Sequence, residues 1–302
     1  MRIAHFSDIH ATRSPFADGQ LTGKRWVGTF NRVVGGRGRH FKDVEERIRA
    51  LLDDIDQQGV DHLVCTGDVT QMSYPAEYDD VSALLGGRLQ QPERLSVVPG
   101  NHDRYTHADA QLFEAHFGAV CEGGQFPFRK TLADGVVLIG LDSARPCSLA
   151  DSSGLCGEEQ LQKLQSLLDA TGDDDVVIVA LHYGLLTHKG LPDKPRHGLR
   201  DAEQLMQMLQ GKASMVLHGH LHQAYTHYTT LSAEGVLQKT TEDIGLLEIC
   251  AGSATDLHKK CTYHILEVDK ETGVVQLQTR ARQPDGRYRP VSDQTLTCRK
   301  NA

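Results

Sequence analysis

Five short stretches of the chain hold residue types that bind metal ions. They supply Asp8 and His10 in SDIH, Asp68 in GDVT, Asn101, His102 and Asp103 in PGNHD, His182 after VVIVAL, and His220 and His222 in HGHLH. Carboxylate oxygen, imidazole nitrogen and an amide carbonyl, with no cysteine among them, suit borderline divalent ions such as Mn, Fe, Zn or Co. Asp8 and His10 lie two residues apart, as do His220 and His222. In extended backbone each pair projects to one side and can grip ions from one edge. Gly67, Gly100 and Gly219 permit the tight turns and close backbone approach such loops need. His218, directly before the motif glycine, is read either as a structural residue at the strand end or as a support for the neighbouring metal ligands. The remaining histidines, His197 and His227 among them, are assigned no role.

The elements that must position these residues are legible as apolar runs. RIAHF from Arg2, HLVCT from His62, RLSVV from Arg94, VVLIGL from Val136, VVIVAL from Val176 and SMVL from Ser214 read as buried strands. The segments DVEERIRALLDDI, EEQLQKLQSLLDA and DAEQLMQMLQ carry apolar residues at helical spacing. Alternation of this kind implies an α/β fold with buried strands. Ligands of such sheets bind at the carboxyl ends of the strands, where all five blocks fall and can converge. GLDS, with Asp142, is read as a strand-terminating turn, and GSATD (252–256) is placed beside the crevice. The late runs LLEICAG, CTYHILEVD and VVQLQTRARQ follow without a helix, so the part from about residue 224 is expected to be β-rich. With no linker before it, 1–302 is read as a single domain.

The chain has 302 residues, 39% hydrophobic and 24% charged, with a formal net charge of −8. That balance fits a globular protein and argues against general nucleic-acid binding. The apolar run in MRIAHFSDIH is too short for a signal-peptide core, and no stretch approaches the roughly 20 apolar residues of a membrane span. Seven dispersed cysteines with no C-x-x-C pair argue against a disulfide framework or a cysteine zinc site. A cytoplasmic protein is expected. One stretch departs from the acidic average: residues 13–40 are Gly-rich and hold six Lys/Arg against one Asp. It is read either as a functional loop or cap after the first strand, with peripheral membrane contact through it as one use, or as a solvated surface insertion.

The order D-x-H, G-D, G-N-H-D, a lone H and G-H-x-H resembles the calcineurin-like metallophosphoesterases, and the match runs from residue 8 to residue 222. The resemblance implies a β-sandwich of two mixed sheets flanked by helices, in α/β/β/α layers. It implies two divalent metal ions (Mn, Fe or Zn), one bound by Asp8, His10 and His222, the other by Asn101, His182 and His220, with Asp68 bridging. It further implies His102 as the non-ligand histidine beside the scissile phosphate, with Asp103 orienting its imidazole. Two divalent ions, two carboxylates and a bridging hydroxide leave a net charge of about +1, which favours an anionic substrate.

The expected activity is hydrolysis of a phosphodiester or related phosphate ester by a metal-bound hydroxide. The substrate would be a small phosphate ester or nucleotide-like molecule. SDIH and GHLH look most like the bacterial class III cyclic-nucleotide phosphodiesterase branch. That branch often has prolines after the lone histidine, where this chain reads His182-Tyr183-Gly184. The basic stretch GKRWVGTFNR resembles chlamydial-type lipid A enzymes that cleave UDP-diacylglucosamine, which makes a pyrophosphatase one alternative. A non-catalytic scaffold on the same fold is the other.

Overall fold

The structure, a computed structural model, describes residues 1–12, 43–106, 111–148, 150–242 and 244–298. The basic insertion expected at 13–40 lies outside the described residues. The strands among them are β1 (Arg2–Phe6), β2 (His62–Cys65), β3 (Leu95–Val97), β4 (Phe128–Ala133), β5 (Val136–Gly140), β6 (Val176–Ala180), β7 (Met215–His218), β8 (Ala224–Leu231), β9 (Leu237–Thr240), β10 (Leu246–Ala251), β11 (Thr262–Asp269), β12 (Val274–Arg282) and β13 (Tyr288–Thr297). The α-helices are α1 (Val44–Gln57), α2 (Pro75–Leu85), α3 (Leu112–Phe117), α4 (Glu158–Asp169) and α5 (Ala202–Leu209).

The strands form two mixed sheets, in the orders β13-β12-β11-β1-β2-β3 and β4-β5-β6-β7-β10-β8-β9. Alternation within single strands shows how the sheets pack. Val136 and Leu138 of β5 join a core shared with β1, β2 and β11, while Val137 and Ile139 join the leucines of α4 and α5. Ile178 and Val179 of β6 divide the same way. These strands are apolar throughout because one face meets the other sheet and the next meets helices. Each Val, Leu or Ile so buried is worth about 1.5–3 kcal/mol.

Helix α1 buries Ile48, Leu51, Leu52 and Ile55, and Glu45 and Glu46 complement the dipole of its first turn. A two-pronged ion pair fixes it to the first sheet: Arg280 Nε donates to Asp54 Oδ2 at 2.7 Å and Nη2 to Oδ1 at 2.9 Å. The Tyr263 hydroxyl donates to the same carboxylate.

Register brings the strand ends level. Phe6 pairs with Cys65 and Cys65 with Val97, all in parallel. In the second sheet Ala180 pairs with Leu217 and Leu217 with Ile249, again in parallel. The late strands complete both sheets, with β10 beside β7 and β11 beside β1. The seven cysteines form no disulfide. No helix of the described residues is long and apolar enough to cross a membrane.

Candidate metal centre

Five of the expected ligands sit in left-handed backbone, with φ of 56° at Asp8, 49° at His10, 51° at Asp68, 69° at His220 and 53° at His222. Neither Asp8 and His10 nor His220 and His222 therefore project from extended backbone, contrary to what their spacing suggests. The side chains converge because the chain coils tightly past the strand ends, not because alternate residues of a strand share a face. Such conformations cost of order 1–3 kcal/mol each and persist where surrounding bonds over-determine them. Those bonds are present: the amides of Asp8 and His10 donate to the carbonyls of Gly67 and Asp68, both at 2.9 Å. The GSATD segment adds more, since Ser253 Oγ donates to Asp8 O at 2.9 Å and Thr255 Oγ1 to Ile9 O at 2.6 Å.

Two glycines make the approach possible. A Cβ on Gly100 would stand 2.2 Å from Asp68 Oδ1, and one on Gly219 would stand 1.9 Å from Ser7 Oγ and 2.4 Å from Asp8 Oδ2. The His220 amide donates to that Oδ2 at 3.1 Å. Carboxylate and strand end interlock where any side chain would intrude.

Asp8, His10, Asp68 and His222 each bring one donor atom within 4.8 Å of all the others. Nε2 of His10 and Nε2 of His222 lie 3.0 Å apart, and His222 Nε2 is 3.1 Å from Asp8 Oδ1. Asp68 Oδ2 lies 3.7 Å from His10 Nε2 and 3.3 Å from His182 Nε2, so it stands between two groups of donors. On the second side, His220 Nδ1 lies 3.1 Å from Asn101 Oδ1, and the His182 and His220 rings meet edge to face at 5.2 Å.

The donors fit divalent ions. Metal bonds near 2.0–2.2 Å place co-ligands roughly 3–4.2 Å apart, close to these separations. His182 Nε2 is buried and faces Asp68 without hydrogen-bond geometry. The far nitrogen of three imidazoles is also engaged, as in metal-ligating histidines. His182 Nδ1 donates to Thr66 O at 2.8 Å, His222 Nδ1 lies 2.9 Å from Asp256 Oδ2, and His220 Nε2 is 3.1 Å from His197 O.

In the metal-free chain the electrostatics are those of a cage of mixed charge. Burial opposes charge on His222, but Asp8 and Asp256 outweigh it and raise its pKa to about 10. Asp68 likewise outweighs burial at His182, which rises to about 9. Burial, together with His182 and His197, holds His220 well below the usual histidine value. Burial also resists ionisation of Asp8 and Asp68, yet the surrounding histidines carry both carboxyls below their ordinary range.

His102 stands at the edge of this group. Its amide donates to Asp68 Oδ1 at 2.8 Å and its ring meets His10 edge to face at 4.8 Å. The expected Asp103 contact is corrected: His102 Nδ1 donates to Gln71 O at 2.5 Å, so a backbone carbonyl orients the ring. The Asp103 carboxylate is spent on the two loops, accepting from the amides of Val69, Thr70 and Gly100 at 3.2, 2.9 and 2.9 Å and lying 3.0 Å from the Thr70 hydroxyl. It ties the GDVT loop to the GNHD loop. Burial, the largest influence, brings His102 down to about 4 despite Asp68, so the resting imidazole is neutral.

His218 is buried behind the strand end, 3.7 Å from Glu248, whose carboxylate also accepts from the amides of Leu185 and Leu186. Asp142 accepts from the amide of Ala144 and pairs with Arg104, as a turn residue. Asp256, Asp193, His197 and Gln71 are contacts that the sequence reading did not assign. GSATD pointed to the neighbourhood of Asp256; no spacing pointed to the others.

The family model of the calcineurin-like phosphoesterases matches residues 1–224. A purple acid phosphatase from yellow lupin (Lupinus luteus) seeds aligns with a TM-score of 0.63 at 14% identity, over 98% of this chain and 53% of its own. The chain thus spans about half the length of that enzyme. A predicted phosphoesterase from Streptococcus pneumoniae aligns with a TM-score of 0.41 at 15% identity, over 98% of this chain and 97% of its own. No curated protein matches.

Proposed function

The chain belongs to the calcineurin-like phosphoesterase family, and from that premise we propose that its crevice is a binuclear metal centre hydrolysing a phosphodiester or related phosphate ester. The observation that carries the reading is the convergence of Asp8, His10, Asp68 and His222 within 4.8 Å, with Asp68 also 3.3 Å from His182. In this reading Asp8, His10 and His222 hold one ion, Asn101, His182 and His220 hold the second, and Asp68 joins them. When bound, two divalent ions would supply a clamp for the phosphate oxygens and lower the pKa of a bound water to about 7.

The remaining work falls to the chain. His102, with Nδ1 committed to Gln71 O, presents Nε2 as its reactive nitrogen. An anionic phosphate beside the ring raises its proton affinity above the resting value, so Nε2 takes up a proton from solvent as the substrate binds and returns it to the departing oxygen, leaving the imidazole neutral again. Ser73 Oγ donates to the His102 carbonyl at 2.7 Å, and the Thr70 hydroxyl lies 3.1 Å from the same oxygen, which fixes that backbone while the proton moves. The test is a panel run with Mn-, Fe- or Zn-reconstituted protein: a phosphomonoester, a phosphodiester, cyclic nucleotides and a UDP-lipid side by side. Hydrolysis of a diester above the monoester supports the reading. Fully metal-loaded protein that cleaves nothing in the panel would favour a scaffold.

A further inference from the structure

Asp193 and His197 belong to the segment between β6 and α5 and lie outside the seven expected ligands. Local turns shape it: Thr187 N donates to Leu191 O at 2.9 Å, and the amides of His197 and Gly198 donate to Lys194 O at 2.8 and 2.9 Å. Asp193 Oδ2 lies 2.5 Å from His197 Nδ1. His197 in turn touches His220 twice. Its carbonyl is 3.1 Å from His220 Nε2, and its ring packs on the His220 ring with centroids 4.3 Å apart. Tyr183 covers the same imidazole from a second direction at 4.3 Å.

Proton bookkeeping gives these contacts a direction. A ring nitrogen 2.5 Å from a carboxylate oxygen donates to it, so His197 Nδ1 cannot accept from His220, although it lies only 3.2 Å from His220 Nε2. Two acceptors compete for the single His220 proton, Asn101 Oδ1 at Nδ1 and the His197 carbonyl at Nε2, both at 3.1 Å, and an ion held between Asn101 Oδ1 and Nδ1 would leave the proton to Nε2 and the His197 carbonyl. That choice leaves the lone pair on His220 Nδ1, the nitrogen beside Asn101 Oδ1. The donors of Asp193, His197 and His220 also fall within 4.8 Å of one another. A third ion there would need the His220 Nε2 proton removed, so the clamp geometry is the simpler account of the cluster.

We propose that Asp193 and His197 form a clamp that sets the affinity of the second metal position, by holding the His220 imidazole in the tautomer and orientation that ligate through Nδ1. The inference rests on the binuclear reading above. Asp193 acts through His197 and His197 through His220, so both are positioning residues.

The experiment is calorimetric titration of metal-stripped full-length protein with Mn²⁺, for wild type, Asp193→Ala, Asp193→Asn, His197→Ala and the Asp193→Ala/His197→Ala double variant. Loss of an outer partner of a metal-ligating histidine typically costs 10–100-fold in affinity. The expected result is a second binding step weakened by about that factor in Asp193→Ala, with the first step unchanged. Asp193→Asn, which keeps an acceptor for His197 Nδ1–H, should restore most of the loss. The double variant should be no worse than the more severe single one, because both break one chain of contacts. Unchanged melting of the metal-free variants excludes a general loss of fold. Equal weakening of both steps, or two ions bound by Asp193→Ala as tightly as by wild type, would overturn the clamp alone. Wild type that takes up only one ion would overturn the binuclear reading and the clamp with it.

Discussion

Raising the pH should strengthen metal binding and weaken the metal-free fold, two effects of opposite sign from the same two histidines. In the metal-free chain His182 and His222 titrate at about 9 and about 10, so both are protonated at pH 7.5. Thr66 O occupies His182 Nδ1 and Asp256 faces His222 Nδ1, so each ion has to displace a proton from Nε2. Loading both positions near pH 7.5 should therefore release about two protons. The product of the two apparent binding constants should rise about a hundredfold per pH unit up to roughly pH 9, more slowly to 10, and then level. Stability runs the other way. A histidine whose folded pKa is raised contributes stability that is complete below its unfolded value of about 6.5 and is lost as pH climbs through the folded value, at about 1.4 kcal/mol per unit. The depressed carboxyls of Asp8 and Asp68 contribute stability that is already complete above about pH 4 and stays constant through this window. The buried thiols, pushed up by burial, lower the stability of both forms as pH passes about 9, so metal-stripped protein should lose more melting temperature between pH 7 and 9.5 than loaded protein does. Titration calorimetry in buffers of different ionisation enthalpy counts the protons, and thermal melts read the stability. Release of less than one proton, or a metal-free protein that grows more stable from pH 7 to 9.5, would refute the reasoning.

Further outcomes follow from the contacts at the site and, for the basic insertion, from the sequence alone. His102→Ala should lower kcat by about 10²–10⁴-fold with metal content near normal, and the defect should shrink on nitrophenyl substrates whose leaving group needs no proton; equal defects on good and poor leaving groups would exclude the proton donor. Asp256→Ala removes the partner of His222 Nδ1 and should weaken the first metal position about 10–100-fold, measured by calorimetry against an unchanged second step. Lys24→Ala combined with Arg25→Ala in the basic insertion should raise KM for the natural substrate while barely changing hydrolysis of a small nitrophenyl ester, and an equal response would remove the insertion from recognition.

The strands that end at the site were legible because they are buried on both faces, which makes VVLIG and VVIVA continuous apolar runs rather than alternating ones. Helix α1 was legible from the spacing of Ile48, Leu51, Leu52 and Ile55. The β13 edge strand was not, since YRPVSDQTLT is largely exposed and carries a proline at its pairing irregularity. Strand β8, AYTHYTTL, mixes polar and aromatic residues without a clean period. At the site, residue types announced the donors but not the backbone that aims them. Left-handed φ at Asp and His has no side-chain signature comparable to glycine's, so the spacing of the two pairs by itself points to extended backbone. Asp256 supports His222 across 34 residues, and His197 supports His220 across 23. Contacts made by tertiary convergence leave no spacing to read. Asp103 shows the reverse case: the family resemblance implied a contact with the His102 imidazole that the fold instead gives to Gln71 O.

The central claim is that Asp68 joins two ions into one hydrolytic centre, and it is tested most directly by measuring metal stoichiometry and phosphodiester turnover together in wild type and Asp68→Asn. The account predicts that stripped wild type is inactive and that turnover appears as the second equivalent of metal binds. Asp68→Asn should keep its fold, bind its ions more weakly and lose turnover. Two tightly bound ions with normal turnover in Asp68→Asn would contradict it.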